Sequence, residues 1–288
     1  MLSVFRLFLL LLFPLFGMGT QFLTLPTSAE ELCIGSHPTL SGNYTLNPAV
    51  GYANGQNPGL VMSRGVWLGD VSLSRLSYIQ TYRGKTFHLG GKYSGLSDLE
   101  FRSDVPQDEA FTSFSTYGFA LDGGLSFKRE NQNFGFSLNY IFMGLYTETS
   151  SGLGINIGYT RFFKNKLKFG LSLQNIGIMT KLETSSPNLP LRLLGGISKV
   201  INFNEYQNTL FGSIELNKLS PSAKFYFGNH FRWNRLEIMG GFATSEKVIE
   251  SSAGLGLILG IYQIKYAVQF GSQYLGTPQI FTIQIRLP

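Results

Sequence analysis

Residues Tyr117 to Phe127 read YGFALDGGLSF. Tyr117, Phe119, Leu121, Leu125 and Phe127 fall on one face of an extended chain, and Gly118, Ala120, Asp122, Gly124 and Ser126 on the other. A period of two over such a run is the signature of a strand. The second face is small and polar rather than heavily charged, which a water-facing sheet surface would not require. Phe134, Phe136, Leu138, Tyr140 and Phe142 repeat the apolar face, as do Leu167, Phe169, Leu171 and Leu173. Near the C-terminus Phe281, Ile283, Ile285 and Leu287 stand against Thr282, Gln284 and Arg286.

Extending the reading in both directions gives about fourteen strands: 59–69, 71–80, 85–95, 113–128, 133–146, 151–163, 166–176, 190–202, 207–217, 222–233, 235–244, 252–261, 263–272 and 279–287. Most have at least the length a tilted strand needs to cross a bilayer. A Lys or Arg on the lipid face at mid-membrane costs roughly 2–4 kcal/mol. Lys168, Lys224, Lys265 and Arg286 are therefore expected to look inward or to sit near an interface. Arg161 and Lys199 fall at strand ends, where long basic side chains can snorkel. In hydrocarbon an open sheet edge leaves unpaired backbone groups that each cost several kcal/mol, so the strands must close into a barrel. The connections Gly95–Thr112, Gly177–Leu189, Ala243–Ser251 and Gly271–Pro278 are long, whereas those at Glu130–Gln132, Lys164–Asn165, Asn234 and Gln263 are short. Sorted alternately along the chain, they put the long loops on one side, the exterior side of an outer-membrane barrel. The expected fold is thus all-β, a transmembrane antiparallel barrel.

Composition agrees. Charged residues make up only 14% of the 288, aromatics another 14%, and there are 34 glycines. Soluble domains carry about 25% charge. Mean hydropathy is +0.07, too low for a bundle of membrane helices. The net charge of +6 comes from scattered residues, so a nucleic-acid surface is not expected. Met1–Gly19 reads as a secretory signal: Arg6, the apolar run Leu7–Phe16, then Gly17-Met18-Gly19. Cys33 is the only cysteine and reads as a packed thiol.

One stretch does not alternate. Gln21–Ala49 reads QFLTLPTSAEELCIGSHPTLSGNYTLNPA, is rich in turn residues and holds one helix-like patch, Ser28–Leu32. With residues 20–58 taken as a plug or hatch and 59–288 as the barrel, it sits inside the lumen toward the periplasm. The inward small residues leave it room. Glycine pairs inside strands, such as Gly90-Gly91, Gly195-Gly196 and Gly240-Gly241, mark bends or places where the plug comes close. Asn47-Pro48-Ala49 serves either as a lock on the hatch or as the turn into the first strand. Pro48 fixes its own φ and drives Asn47 into an extended state.

Several positions resemble the PorV/PorQ family. Gln21, Phe22, Leu23, Pro26, Ala29 and Gly35, followed by Asn47-Pro48-Ala49, resemble the family's opening; Leu173-Gln174-Asn175-Ile176-Gly177 and Leu189-Pro190-Leu191-Arg192 resemble two later landmarks. The resemblance implies the fold of the FadL-type fatty-acid transporters. It also implies a non-enzymatic role in the outer membrane of a Gram-negative bacterium, among the secretion and cell-surface attachment proteins of the type IX system. The alternative is FadL-like transport of hydrophobic small molecules, which would need an apolar pocket between hatch and wall.

Other chemistry is thinly represented. His37, His88 and His230 have no serine nucleophile motif beside them, and no ligands cluster at metal spacing, so neither catalytic, cofactor nor metal residues are assigned. His88 and His230 alternate with apolar residues and are expected to face the lumen. Leu96, Leu99, Phe101, Val105 and Phe111 interleave with Asp98, Glu100, Asp104, Asp108 and Glu109, a pattern suited to an external loop that docks a protein partner.

Overall fold

The computed structural model describes residues 19–50, 59–101, 112–220, 222–246, 248–271 and 275–287. Fourteen antiparallel strands form one closed barrel in chain order, with the first and last strands paired. They are β1 (Gly59–Val66), β2 (Ser72–Tyr82), β3 (Lys85–Phe101), β4 (Thr112–Arg129), β5 (Gln132–Leu145), β6 (Glu148–Phe162) and β7 (Leu167–Met179). The second half comprises β8 (Arg192–Phe203), β9 (Tyr206–Asn217), β10 (Lys224–Trp233), β11 (Leu236–Thr244), β12 (Ile249–Leu259), β13 (Tyr262–Phe270) and β14 (Gln279–Arg286). Closure is made by β1 against β14, in a register that runs from Gly59↔Arg286 to Val66↔Gln279.

The alternation settles which face is which. Leu89, Leu138 and Leu153 are 63%, 58% and 62% exposed on the outside, while Ser94, Ser137, Thr160 and Ser172 on the inside are 0–1% exposed. Apolar side chains outward and polar ones buried is the reverse of a water-soluble protein, and it follows when the outer solvent is lipid. The fold is that of an outer-membrane β-barrel. Lys168 and Lys265 are buried inside, and Lys224 pairs with Glu250 across the inner wall. Connections at one end are short: 83–84, 130–131, 163–166, 204–205, 234–235 and 260–261. Those at the other end are 67–71, 102–111, 146–147, 180–191, 218–223, 245–248 and 271–278, so most of the longer ones share an end, as the sequence implied.

Among the described residues, two β-bulges interrupt the period. In β3, Ser97 and Asp98 fall between the partners Leu96 and Leu99, with Asp98 at φ 60°. The strand continues beyond this bulge to Phe101, so Leu96 and Leu99 lie on a strand and not in a loop. In β7, Gln174 and Asn175 together oppose Asn156, with Asn175 at φ 60°. An extra residue resets which side chains face out. Gln174 and Asn175 are both buried inward, and Ile176 and Ile178 return to the lipid side. Pairing of β7 with β8 stops at Gln174↔Arg192. The first strand is shorter than its alternation suggested, because a single 3-10 turn, Leu68–Asp70, follows Val66.

Candidate functional site

Residues 19–50 run through the lumen. A 3-10 turn, Thr20–Thr24, lies near the end with the longer connections, where the Thr20 hydroxyl donates to the Asn188 carbonyl at 2.5 Å. The helix α1 (Ala29–Ile34) follows, capped by the Ser28 side chain, which accepts from the Glu31 N–H at 3.2 Å. This is the helix-like patch of the sequence, displaced by one or two residues. The segment ends at Asn47–Val50 beside Asn133 and Thr160, which lie near the short-turn end. It therefore traverses the barrel instead of occupying only one end.

Small inward residues make this path possible. A Cβ at Gly118 would stand 2.4 Å from the Phe22 ring, one at Gly228 would stand 2.2 Å from the Ile34 side chain, and one at Gly158 would stand 2.0 Å from Asn47 Oδ1. Gly241 faces the Cys33 carbonyl in the same way. Phe22, Ala29 and Cys33 are 0% exposed, and Leu32, Leu46 and Leu194 join α1 in one apolar cluster.

Polar contacts tie the segment to the wall. Lys92 Nζ donates to the Leu25 carbonyl at 2.7 Å, and Lys168 Nζ to the Thr39 carbonyl at 2.7 Å. Lys265 pairs with Glu30 at 2.9 Å, and the Ala29 N–H donates to Thr282 Oγ1 at 2.9 Å. Gln174 Nε2 donates to the carbonyls of Thr45 and Leu46 at 2.6 and 2.5 Å. The segment is also knit to itself: Glu31 accepts from the Thr27 N–H and from Asn43.

Asn47 is fully buried. Its Nδ2 donates to the Pro38 carbonyl at 2.7 Å and to the Tyr159 carbonyl at 3.2 Å, and its Oδ1 accepts from the Ala49 N–H at 2.9 Å. The Pro48 carbonyl lies where a Cβ on Gly135 would go. Of the other family-like positions, Pro26 and Gly35 line a cavity and Gly35 has φ 97° against Tyr226. Gln21 is exposed and Leu23 half-buried. Leu96 and Leu99 are half-buried, the Phe101 side chain is outside the described residues, and so are Val105 and Phe111. Residues 1–18 of the expected signal and the junction at 51–58 are likewise outside them.

Burial sets the protonation of two groups in the segment. The Cys33 thiol is pushed up to about 12 by desolvation, with Glu30 adding to the effect. His37 is pushed down to about 4 by desolvation, partly offset by its contact with the Ile34 carbonyl at 2.9 Å. It packs against the rings of Phe211 and Tyr226 at 5.2 and 6.2 Å. His88 and His230 both face the lumen. His88 stacks on Tyr44 at 4.6 Å, and His230 lies 3.4 Å from Glu237.

A cavity of about 230 Å³ lies between the segment and the wall. Leu25, Leu32 and Ile34 line it from the segment, and Trp67, Tyr226 and Ala243 from the barrel. Its polar side includes Arg192, Glu215, Lys224 and Glu250. Arg192 Nη2 meets Glu215 at 2.8 Å and Ser36 Oγ at 2.6 Å, and the Tyr226 hydroxyl donates to Glu215 at 2.7 Å. Sequence reading did not single out Glu215, Tyr226 or Trp67. Glu215 and Arg192 carried a usable signal, since opposite charges on the inward faces of neighbouring strands have to pair. Among the described residues no group of His, Cys, Asp and Glu could hold a metal ion.

A closed fourteen-stranded barrel with an N-terminal segment in its lumen is the FadL-type outer-membrane barrel fold. The chain is similar to the crystal structure of the Ralstonia pickettii toluene transporter TbuX, with a TM-score of 0.63, 11% identity, and coverage of 91% of this chain and 98% of that one. It is similar to the CymD monoaromatic hydrocarbon channel, with a TM-score of 0.60, 12% identity, and coverage of 90% and 96%. A TodX monoaromatic hydrocarbon channel, the deltaS2 mutant, gives 0.56, 13%, 90% and 96%. At these identities the likeness defines the fold. No family model and no curated protein matches the chain, so membership of the PorV/PorQ family gains no support beyond the motifs themselves.

Proposed function

We propose that the chain is an outer-membrane channel for small hydrophobic compounds in a Gram-negative bacterium, with residues 19–50 as its gate. The observation that carries this reading is the cavity of about 230 Å³, walled on one side by Leu25, Leu32, Ile34 and Trp67. An engineered apolar cavity of about 150 Å³ already takes a benzene molecule. Ser220 and Ser222, from the connection at the long-loop end, also line it, so it lies beside the gate toward that end. The solved structures of similar fold include a toluene transporter and monoaromatic hydrocarbon channels. Passage needs no catalysis, cofactor or metal; it needs the segment to shift. Uptake of radiolabelled ethylbenzene by cells with an intact outer membrane tests this. Cells making the protein should accumulate it faster than cells without it, and the rate should saturate. Equal rates would end the reading.

A second reading, a scaffold among type IX secretion and surface-attachment proteins, is favoured by one observation. Two of the stretches that resemble the PorV/PorQ family meet in the fold, Asn175 Nδ2 donating to the Pro190 carbonyl at 3.0 Å, and their Gln174 and Arg192 hold Leu46 and Ser36, the chain neighbours of the family-like Asn47 and Gly35. Crosslinking in the native membrane followed by mass spectrometry discriminates. Secretion proteins crosslinked to this chain, with no effect on hydrocarbon uptake, would favour the scaffold.

A further inference from the structure

We infer that the short-turn rim of the barrel binds an anionic phospholipid of the periplasmic leaflet, in a groove between the β2–β3 and β4–β5 turns. The site needs only the outer-membrane barrel and is independent of what crosses the lumen.

Charge is sorted between the two ends of the barrel. At the short-turn end Arg129, Arg161, Lys164, Lys166, Lys199 and Arg235 are exposed, as are Arg83, Lys85 and Lys128, and only Glu130 and Glu205 oppose them among exposed carboxylates. The long-loop end has the reverse balance among the described residues, with Asp70, Asp98, Glu100, Glu183 and Glu246 exposed against Lys181 and Lys218. An excess of cations confined to one end fits an anionic leaflet at that end. Short turns face the periplasm, where the leaflet of an outer membrane is phospholipid.

One part of this rim is shaped as a site. Arg83, Lys85, Lys128 and Glu130 line a groove with charge, and Leu125 and Phe127 line it with apolar surface. Pairing of β3 with β4 sets Lys85 opposite Phe127. Lys85 shares its strand face with Phe87 and Leu89, which are 46% and 63% exposed on the lipid side. Arg83 and Gly84 both have positive φ, 48° and 75°, in a tight two-residue turn, and the Arg83 guanidinium lies 5.1 Å from the centre of the Tyr82 ring. Among the described residues none of the three cations forms an ion pair. Their donors are open to a phosphate, which both Arg and Lys bind well. A free anion would meet only these charges. A lipid also lays its acyl chains along Phe127, Phe87 and Leu89, in line with the hydrocarbon. The lining carries three cations and one carboxylate, so a headgroup whose only charge is its phosphate suits it better than one that adds a choline cation.

Native mass spectrometry of the protein purified in detergent tests this, with phosphatidylglycerol and phosphatidylcholine of identical acyl chains as probes. The first bound phosphatidylglycerol should be held roughly 25-fold more tightly, about fivefold for each net positive charge in the groove. Arg83→Gln, Lys85→Gln and Lys128→Gln made together should abolish that preference. Arg161→Gln, Lys164→Gln and Lys199→Gln made together, elsewhere on the rim, should preserve it. Excess inorganic phosphate should not displace the lipid. Equal binding of the two lipids by the parent protein overturns the inference, whether or not the variants fold. Loss of the preference in both triple variants shows a diffuse rim charge and overturns the groove. Displacement by inorganic phosphate overturns the lipid as its occupant.

Discussion

Gly158→Ala is a small change to the barrel and a large one to the segment inside it. Gly158 pairs with Gly135 and Ser172 in the ladder, and alanine fits an extended strand without strain. Its methyl group, however, would stand 2.0 Å from Asn47 Oδ1 and 2.8 Å from the Ala49 nitrogen. Both belong to the backbone-bound end of the segment, which has no slack. The segment must move off the wall. It then loses three contacts: Asn47 Nδ2 to the Tyr159 carbonyl at 3.2 Å, and Asn133 and Thr160 to the Ala49 carbonyl at 3.3 and 3.4 Å. These are long bonds, so about 2 kcal/mol in total is a fair net value. That corresponds to roughly a thirtyfold rise in the fraction of molecules with the segment displaced. Cys33 reports it from a distance. The thiol is buried, and Leu46 packs in the same cluster, next in the chain to Asn47. The initial rate of maleimide labelling at Cys33 should rise by roughly the same factor, while the folded barrel keeps its heat-modifiable mobility. An unchanged labelling rate in a folded Gly158→Ala protein would refute the idea that the segment moves as a unit.

Lys168→Met removes the cation that holds the Thr39 carbonyl. Labelling of Cys33 should rise by about tenfold, since a charge-assisted hydrogen bond contributes about 1.5–3 kcal/mol and methionine recovers some packing. Arg192→Ala leaves Glu215 buried without its partner and should destabilise the protein by about 3–5 kcal/mol, read as a lower urea midpoint of unfolding in detergent. His37 gives a pH dependence. Folded, it protonates only near pH 4, whereas a free histidine protonates near 6.5. The displaced state therefore binds the extra proton. Stability of the packed segment is complete above pH 6.5 and is lost as the pH falls from 6.5 to 4, by about 3 kcal/mol. Cys33 labelling, corrected for thiolate fraction, should climb over that window in the parent protein and stay flatter in His37→Gln.

The barrel was legible because its physics is repetitive. Each strand has to place apolar groups in lipid and small polar groups inside, so Tyr117–Phe127 alone shows the rule and every other strand confirms it. Single residues that break the rule are harder to read. Nothing in Gln174-Asn175 reveals that both point inward, because the bulge depends on Asn175 taking a left-handed conformation opposite Asn156. The β3 bulge at Ser97-Asp98 hid the last part of that strand for the same reason. The segment 19–50 was legible as the part that fails to alternate, and Asn47 as a residue that bonds backbone. Its course from one end of the lumen to the other was not, since that is fixed by long-range contacts such as Thr20 to Asn188 and Lys168 to Thr39. The cavity is least visible of all. It arises where Tyr226 and Trp67, far apart in sequence, face the segment.

Residues 19–50 fill the lumen of a barrel that would otherwise be open. Electrical recording in planar lipid bilayers tests this directly, comparing the parent protein with a form lacking residues 21–50. The parent should show little steady conductance, and the deletion should show large, lasting openings of uniform size. A parent that conducts as freely as the deletion, or a folded deletion that stays closed, would contradict it.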